Sequence, residues 1–281
     1  MRRILPALAA AVVTISVPAC GPMGRYNAEA RDTWSKTYSL AKNGEVRVSN
    51  VNGRVDVEGT DGSTVEVQAE RIARAATDQL AKDLLPKIPI NERSAPDTVV
   101  IETGRISGIL IGASYEVRYR LRVPKTASVR ATNVNGGVDV RSLAGHTVAR
   151  TTNGGVRADK ISGSLEARSV NGGVRAQFDA LGTGDITLGV VNGGVHISLP
   201  PTAKATVSAT WVNGGFNTSG LQFATRDSGK RHFEGVLNGG GTSITATTVN
   251  GGIRINAAGE KDDGDDIGDQ IEKTIKHDLH E

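Results

Sequence analysis

Besides Asn43-Gly44, eight Asn-Gly pairs punctuate this 281-residue chain, and six stand inside near-identical hexapeptides: NVNGGV, TTNGGV, SVNGGV, VVNGGV, WVNGGF and TVNGGI. The asparagines fall at 52, 135, 153, 171, 192, 213, 238 and 250, so the steps from Asn135 onward are 18, 18, 21, 21, 25 and 12. A period of roughly 20 residues marks a stacked repeat, and that constraint outranks any local propensity. Aligned on the Asn, the columns alternate. Six and four positions earlier stand mostly apolar residues, such as Val129 and Ala131 or Leu165 and Ala167. The position between them is mostly polar. Three positions after the Asn come Val55, Val138, Val156, Val174, Val195, Phe216, Gly241 and Ile253, each followed by a polar residue. This is strand periodicity on both sides of the Asn-Gly-Gly. Each unit therefore reads as strand, corner, strand and a second, variable turn.

The corner has a physical reason to be invariant. It calls for positive φ, which Gly adopts without penalty and Asn tolerates best among other residues. Corners repeated at a fixed period suggest coils stacked in register, with asparagine side chains bonding one another along the pile. On that reading Asn135, Asn153, Asn171, Asn192, Asn213 and Asn250 are structural turn residues. Seven or eight coils at ~4.8 Å each make a rod roughly 35 Å long. The rival is an antiparallel β-meander or sandwich, because Asn-Gly is also a strong hairpin signal. Against it, some fourteen short strands would need a second layer over their apolar face, and no helices follow to provide one. Calcium-binding β-roll repeats also pair glycines, but they need a regular aspartate after them. Here that column is mixed, which excludes repeat-bound calcium.

Aromatic residues make up only 4% of the chain, so the core must be built of Val, Ile, Leu and Ala. The net charge of +3, with no basic block interleaved with aromatics, gives no basis for nucleic-acid binding. The one cysteine, Cys20, excludes an intramolecular disulfide and a cysteine metal cluster. Its position explains it. Arg2 and Arg3 precede a mostly apolar run from Ile4 to Val17, an export signal too short and too early for a structural membrane span. Residues 1–19 read as that signal peptide. The Val17-Pro18-Ala19-Cys20 that closes it looks like a bacterial lipobox, making Cys20 a lipidated mature N-terminus and the membrane a partner through that lipid. Gly21 fits sorting to the outer membrane in a Gram-negative host.

The chain then divides into a tether at 20–33, an irregular N-terminal β part at 34–130, the repeat region at 131–258 and an acidic tail at 259–281. In the N-terminal part, 73–85 reads as a helix ended by Pro86, and Thr98–Glu102 and Tyr115–Val123 read as strands. Ile106–Ile111 is an apolar stretch suited to packing on the first coil, where a solenoid needs its open edge covered. The tail opens on Asp262, Asp263, Asp265 and Asp266, which lack EF-hand spacing and read as a solvated linker. Ile267, Ile271, Ile275 and Leu279 then recur at every fourth position, the stripe of a short helix suited to capping the last coil.

Taken together, the lipobox, the early GEVRVSNVNGRVDVEG and the run of NGGV coils resemble the bacterial cell-envelope family labelled "putative adhesin", a domain of unknown function. The resemblance spans roughly residues 34–256. It implies an all-β, right-handed parallel β-solenoid with short coils of roughly 18–21 residues and one small helical insertion. It also implies an envelope-anchored, exported lipoprotein with no cofactor and no enzymatic activity.

A search of the residues for chemistry agrees. His146, His196, His232, His277 and His280 show no metal-ligand spacing. No nucleophile elbow, P-loop or dinucleotide fingerprint is present. One constellation is informative: Arg150 and Arg168 stand three positions before their Asn, and Arg157 and Arg175 four after theirs. Stacked coils would line these four guanidiniums in two neighbouring outer columns. Stacked like charges repel, and Arg suits carboxylate, sulfate or phosphate, so the four are candidate ligands for an anionic envelope polysaccharide. The opposing reading is a solvated face in which Asp159 and Glu166 neutralise them. The sequence thus favours a non-enzymatic structural or interaction scaffold, or adhesin-like module, docking an envelope protein, with anionic glycan binding as the alternative. A polysaccharide lyase or hydrolase ranks last: Asp56 and Asp139 share a column but lie far apart along the chain, and few aromatics are available to stack sugars.

Overall fold

The computed structural model describes residues 28–106 and 112–259. The signal peptide, Cys20, most of the Ile106–Ile111 stretch and the acidic tail lie outside them. The strands of the described residues form two sheets, one of ten strands and one of eleven. Strands that enter each Asn-Gly corner make the first sheet, and strands that leave it make the second. Within the repeats all pairing between coils is parallel, as in Thr147–Asn153 against Leu165–Asn171 and Val156–Asp159 against Val174–Gln177. Parallel pairing settles the choice between solenoid and meander. A corner carries the chain from one sheet to the other, so successive units meet edge to edge rather than folding back as hairpins.

The register is that of the aligned columns. Val129, Thr147, Leu165 and Ile186 are partners on neighbouring strands, as are Ala131, Ala149, Ala167 and Leu188. On the second sheet Val138, Val156, Val174 and Val195 form the facing row. All are buried and belong to one continuous core, apart from the buried hydroxyl-bearing Thr147. Each buried Val, Leu or Ile contributes about 1.5–3 kcal/mol, before the entropy of ordering the chain is charged against it. The alanines keep the sheets close enough for a narrow interior.

The stack does not follow chain order at its ends. The coils run Asn52, Asn135, Asn153, Asn171, Asn192, Asn250, Asn213. After the Asn192 coil the chain skips a rung, builds the Asn213 coil, makes the hairpin Phe223–Ser228/His232–Leu237, and returns to fill the gap with the Asn250 coil. This explains the irregular steps of 25 and 12. It also removes Asn238 from the series: that residue sits at a turn with φ +48 and donates to the carbonyls of Pro201 and Ala203. At the other end, Thr98–Thr103 and Ala113–Pro124 pair in parallel with the two strands of the Asn52 coil and form an eighth rung without the motif.

Both ends carry antiparallel strands. Ala28–Ser39 and Thr64–Ala75 extend the second sheet at its N-terminal edge, and Ile90–Ala95 extends the first. Residues 28–33 therefore belong to a strand rather than to the expected tether. Ala28 and Ala30 are buried there, and Asp32 accepts from Arg71. The helix is Asp78–Leu84, capped by the Thr77 hydroxyl, and Ala73–Ala75 finish the preceding strand. Alanine-rich sequence favours a helix locally, and pairing with Ser114 and Tyr115 overrides that preference. The expected boundary at 130/131 cuts through Ser128–Asn135.

The corners hold the stack together. Each first glycine has positive φ, from +112 at Gly53 to +154 at Gly251. A Cβ on Gly172 would lie 2.1 Å from the Gly154 carbonyl oxygen. The asparagines do not take positive φ themselves; their amides form one ladder. Each Nδ2 donates to the Oδ1 of the neighbouring coil: Asn135 to Asn52, Asn153 to Asn135, Asn171 to Asn153, Asn192 to Asn171, Asn250 to Asn192 and Asn213 to Asn250, at 2.7–2.9 Å. A second set of bonds lies two positions before the Asn, in a column the sequence pattern does not expose. There the side chains of Asn133, Thr151, Ser169 and Thr248 donate to the corner carbonyls of Gly53, Gly136, Gly154 and Gly193. At the N-terminal rung the equivalent Asn50 joins a buried network with Thr103 and Tyr119, whose hydroxyl pKa is pushed up to about 12 by burial.

Two consequences are measurable by urea denaturation. Gly172→Ala should cost about 3 kcal/mol or more, because it combines φ strain with a backbone collision. Gly155→Ala, whose Cβ meets its nearest atom at 3.3 Å without positive φ, should cost about 1 kcal/mol or less. Asn171→Ala removes a donor and an acceptor from the middle of the ladder and should cost about 1–2 kcal/mol. Asn213→Ala, at the ladder's end, should cost about half that.

Candidate functional site

Alternation puts every second residue of the second sheet outside. The outer row that begins one position after the buried valines reads Asp56, Asp139, Arg157, Arg175, His196, Arg254 and Asn217 on successive strands. Three arginines and a histidine are thus consecutive, one rung or ~4.8 Å apart. Beside them the second glycines of the corners, Gly137, Gly155, Gly173 and Gly194, present almost no side chain. The result is an open trough of about 580 Å³ running from Arg54 past Arg157 and Arg175 to His196. The glycine backbone lies along it, and Arg54, Arg157, Arg175 and His196 line it together with Asp139.

The acidic end of the row is closed off by Arg54. This guanidinium donates to Asp56 at 2.8 Å and pairs with Asp139 at 2.9 Å. Asp56 and Asp139, far apart in sequence, are direct register partners in the fold. Burial raises the Asp139 pKa above its ordinary value and the Asp56 charge adds to it, while Arg54 and Arg157 pull it down. With Arg54 bound to both carboxylates, the pair is spent on that guanidinium rather than set across a cleft from each other as hydrolysis needs. Further toward the N-terminal edge the sheet carries a mosaic of both signs, including Arg31 with Glu70 and Arg74 with Glu29. Charge on this face is therefore polarised along the stack.

The four arginines singled out by the repeat separate into two pairs. Arg157 and Arg175 are register partners on the second sheet. Arg150 and Arg168 are partners on the first. The corner sends the two columns to different sheets, so they do not make one site. Glu166 lies between Arg150 and Arg168 and accepts from both, at 2.6 and 2.7 Å. Burial raises its pKa, but these two hydrogen bonds and the charges behind them outweigh burial and leave it below the usual carboxylate value. Asp159 is in register with Arg141 and Gln177, one outer row from Arg157. His196 and Arg254 complete the column; the aligned sequence places both among its polar positions without marking them as candidate ligands. His196 invites attention there only as a metal ligand, and Arg254 is hidden by the exchanged order of the last two coils.

A third row follows the first sheet's rim. Val134, Val170, Val191, Val249 and Val212, each the residue before a ladder Asn, are all about 40% exposed. Among the described residues no group of three or more His, Cys, Asp or Glu is placed to hold a metal ion. No helix among them is long and apolar enough to cross a membrane.

Residues 125–256 match the family model described as Toastrack DUF4097. The matched model is that of a domain of unknown function. The match begins just before Ser128 and closes inside the Asn250 coil, so it takes in the coils from Asn135 to Asn250. The Asn52 coil and the rung before it continue the same two sheets outside the match. Among solved structures, the chain is similar to a "putative cell adhesion protein" from Clostridium sporogenes at 11% identity, covering 80% of this chain and all of that one, with a TM-score of 0.46. It is also similar to a "putative adhesin" from Bacteroides fragilis at 11% identity, covering 82% and 99%, with a TM-score of 0.37. A "putative lipid binding protein" from Parabacteroides distasonis matches at 10% identity over 81% and 97%, with a TM-score of 0.31. No curated protein matches the chain.

The Glu166 bridge has a testable pH signature. A carboxylate whose folded pKa is depressed contributes stability above its unfolded pKa and loses it as pH falls through the acid range. Glu166→Gln should therefore lower stability by up to ~1 kcal/mol at pH 7 and by almost nothing near pH 3, read from urea curves at both.

Proposed function

We propose that this chain is a non-enzymatic binding module of the bacterial envelope surface, and that its ligand is an anionic polymer laid along the second-sheet trough. The observation that carries the reading is the run Arg157, Arg175, His196, Arg254 in one register row beside the corner glycines. A polymer with a charge on each repeat can meet a cation at every rung, and the glycine backbone lets it approach without displacing side chains. Guanidinium groups bind carboxylate, sulfate and phosphate through paired hydrogen bonds. A lipid on Cys20 would hold the module on a membrane, and the family resemblance fits an exported envelope protein. Anionic polymers of the envelope are then within reach.

A second reading, a scaffold that docks another envelope protein, draws on the exposed valine rim, an apolar line unusual for a solvated edge. The enzymatic reading is the weakest, since Arg54 binds both carboxylates of the acid pair in the row.

The test is retention of the soluble chain, without its signal and lipid, on dextran sulfate against neutral dextran at low and high salt. Ultraviolet absorbance of unsaturated sugar ends is followed with uronate polymers in parallel. Salt-sensitive retention is expected, with no new ends. Arg157→Gln with Arg175→Gln should weaken it at least ~10-fold, while Arg150→Gln with Arg168→Gln should change it less than ~2-fold. Equal effects of the two pairs would remove the trough as the site, and new ends would make the protein a lyase.

A further inference from the structure

The strand Ala113–Pro124 carries an arginine at three successive outer positions, Arg118, Arg120 and Arg122. Its antiparallel neighbour Thr64–Ala75 sets Glu70, Gln68 and Glu66 against them in register. The middle partner is neutral, and the middle arginine fares differently for it. Arg118 pairs with Glu116 at 2.7 Å and with Glu70 at 3.8 Å, and Arg122 lies 3.9 Å from Glu66 and 4.0 Å from Glu58. Arg120 has Gln68 on one side and Asp56 on the other, and Asp56 accepts from Arg54. Among the described residues its guanidinium makes no hydrogen bond or ion pair, and neither does that of Arg141, two strands away.

Two open depressions meet here, of about 660 and about 1020 Å³, and Asp56, Gln68, Arg120 and Arg141 line both. Ser35, Thr37, Glu58 and Glu66 join them in the smaller, whose volume falls within the range of small-molecule sites, about 300–1,000 Å³. Arg120 and Arg141 stand two strands and two residues apart, ~12 Å between Cα atoms, a gap that two arginine side chains can close around one anion. Asp56 and Glu58 lie on the strand between them. Ionised carboxylates only accept, so they repel further negative charge and take hydroxyl protons. Ser35, Thr37 and Gln68 both donate and accept. A polyanion is disfavoured on such a wall, whereas a molecule with one carboxylate among several hydroxyls finds a partner for each group.

We propose that the smaller depression is a second binding site, separate from the trough, for a single uronic-acid unit. The sugar carboxylate sits between Arg120 and Arg141, and its hydroxyls donate to Asp56 and Glu58 and bond with Ser35, Thr37 and Gln68. Gln68 is the residue that opens the site: a glutamate there would occupy Arg120 as Glu70 and Glu66 occupy Arg118 and Arg122. None of these residues belongs to the cation column, so the site does not depend on the trough being an anion site.

The experiment is an NMR titration of the full soluble chain with methyl glucuronide, methyl glucoside and inorganic phosphate as separate arms. The glucuronide should bind at least ~10-fold tighter than the glucoside, which lacks the carboxylate, and than phosphate, which lacks the hydroxyl pattern. Gln68→Glu, which leaves every cation in place, and Arg120→Gln should each weaken glucuronide binding at least ~10-fold. Arg157→Gln with Arg175→Gln should change it less than ~2-fold. A glucuronide that gives no saturable shift overturns the inference, as does a glucoside that binds equally well. Phosphate binding as tightly overturns it too, by making the depression an anion site without sugar selection. Unchanged affinity in Gln68→Glu and Arg120→Gln, or loss in the Arg157/Arg175 pair instead, removes the depression as the site. Dextran sulfate retention is untouched by any of these results, so the trough reading stands or falls on its own.

Discussion

The contact on which this structure depends is backbone against backbone at the corner. The first glycine of one coil lies on the carbonyl of the same glycine in the next, with too little room for a methyl group. Because nothing larger fits, the coils close to strand spacing at their edge as well as across their sheets. That closeness brings the asparagine amides within hydrogen-bond reach and lets Thr151, Ser169 and Thr248 satisfy corner carbonyls that the turn leaves without a ladder partner. Ladder, carbonyl caps and buried valine rows all follow from one permissive residue repeated at one position.

The same constraint shapes the surface. Stacking in register turns any residue type repeated in a column into a line of like side chains. Where the line is apolar and inside, it makes a core. Where it is charged and outside, it stores repulsion, and the protein handles this differently on its two faces. On the first sheet Glu166 sits between Arg150 and Arg168 and neutralises both. On the second sheet, cations occupy the four rungs that follow Asp139 in its own outer row. Such an asymmetry sets a direction along the rod and a place where an extended anion gains at each step.

The two ends show how a repeat is terminated. Edge strands at the N-terminal end are antiparallel and heavily salt-bridged, which blunts them toward further pairing. At the other end Trp211, Phe216 and Phe233 stack on one another, concentrating three of the chain's few aromatic rings where the alanine-lined interior stops.

The amino-acid sequence alone determined the coil, its corner and its inner and outer faces. A fixed alternation repeated at every coil leaves side chains no other consistent arrangement, and the columns of the aligned motif are the register rows of the sheets. The sequence also marked Arg157 and Arg175. Only the tertiary structure decided the order of the last two coils, because a repeat pattern is blind to which copy lies on which. It alone assigned the two arginine pairs to different sheets and showed that Glu166 quiets one pair while His196 and Arg254 extend the other. It also set the boundaries of the irregular N-terminal part, where Ala73–Ala75 follow their strand partner Ala113–Tyr115 rather than their own helical propensity. Local composition states a preference of about a few tenths of a kcal/mol per residue; pairing and burial across the sheet exceed it.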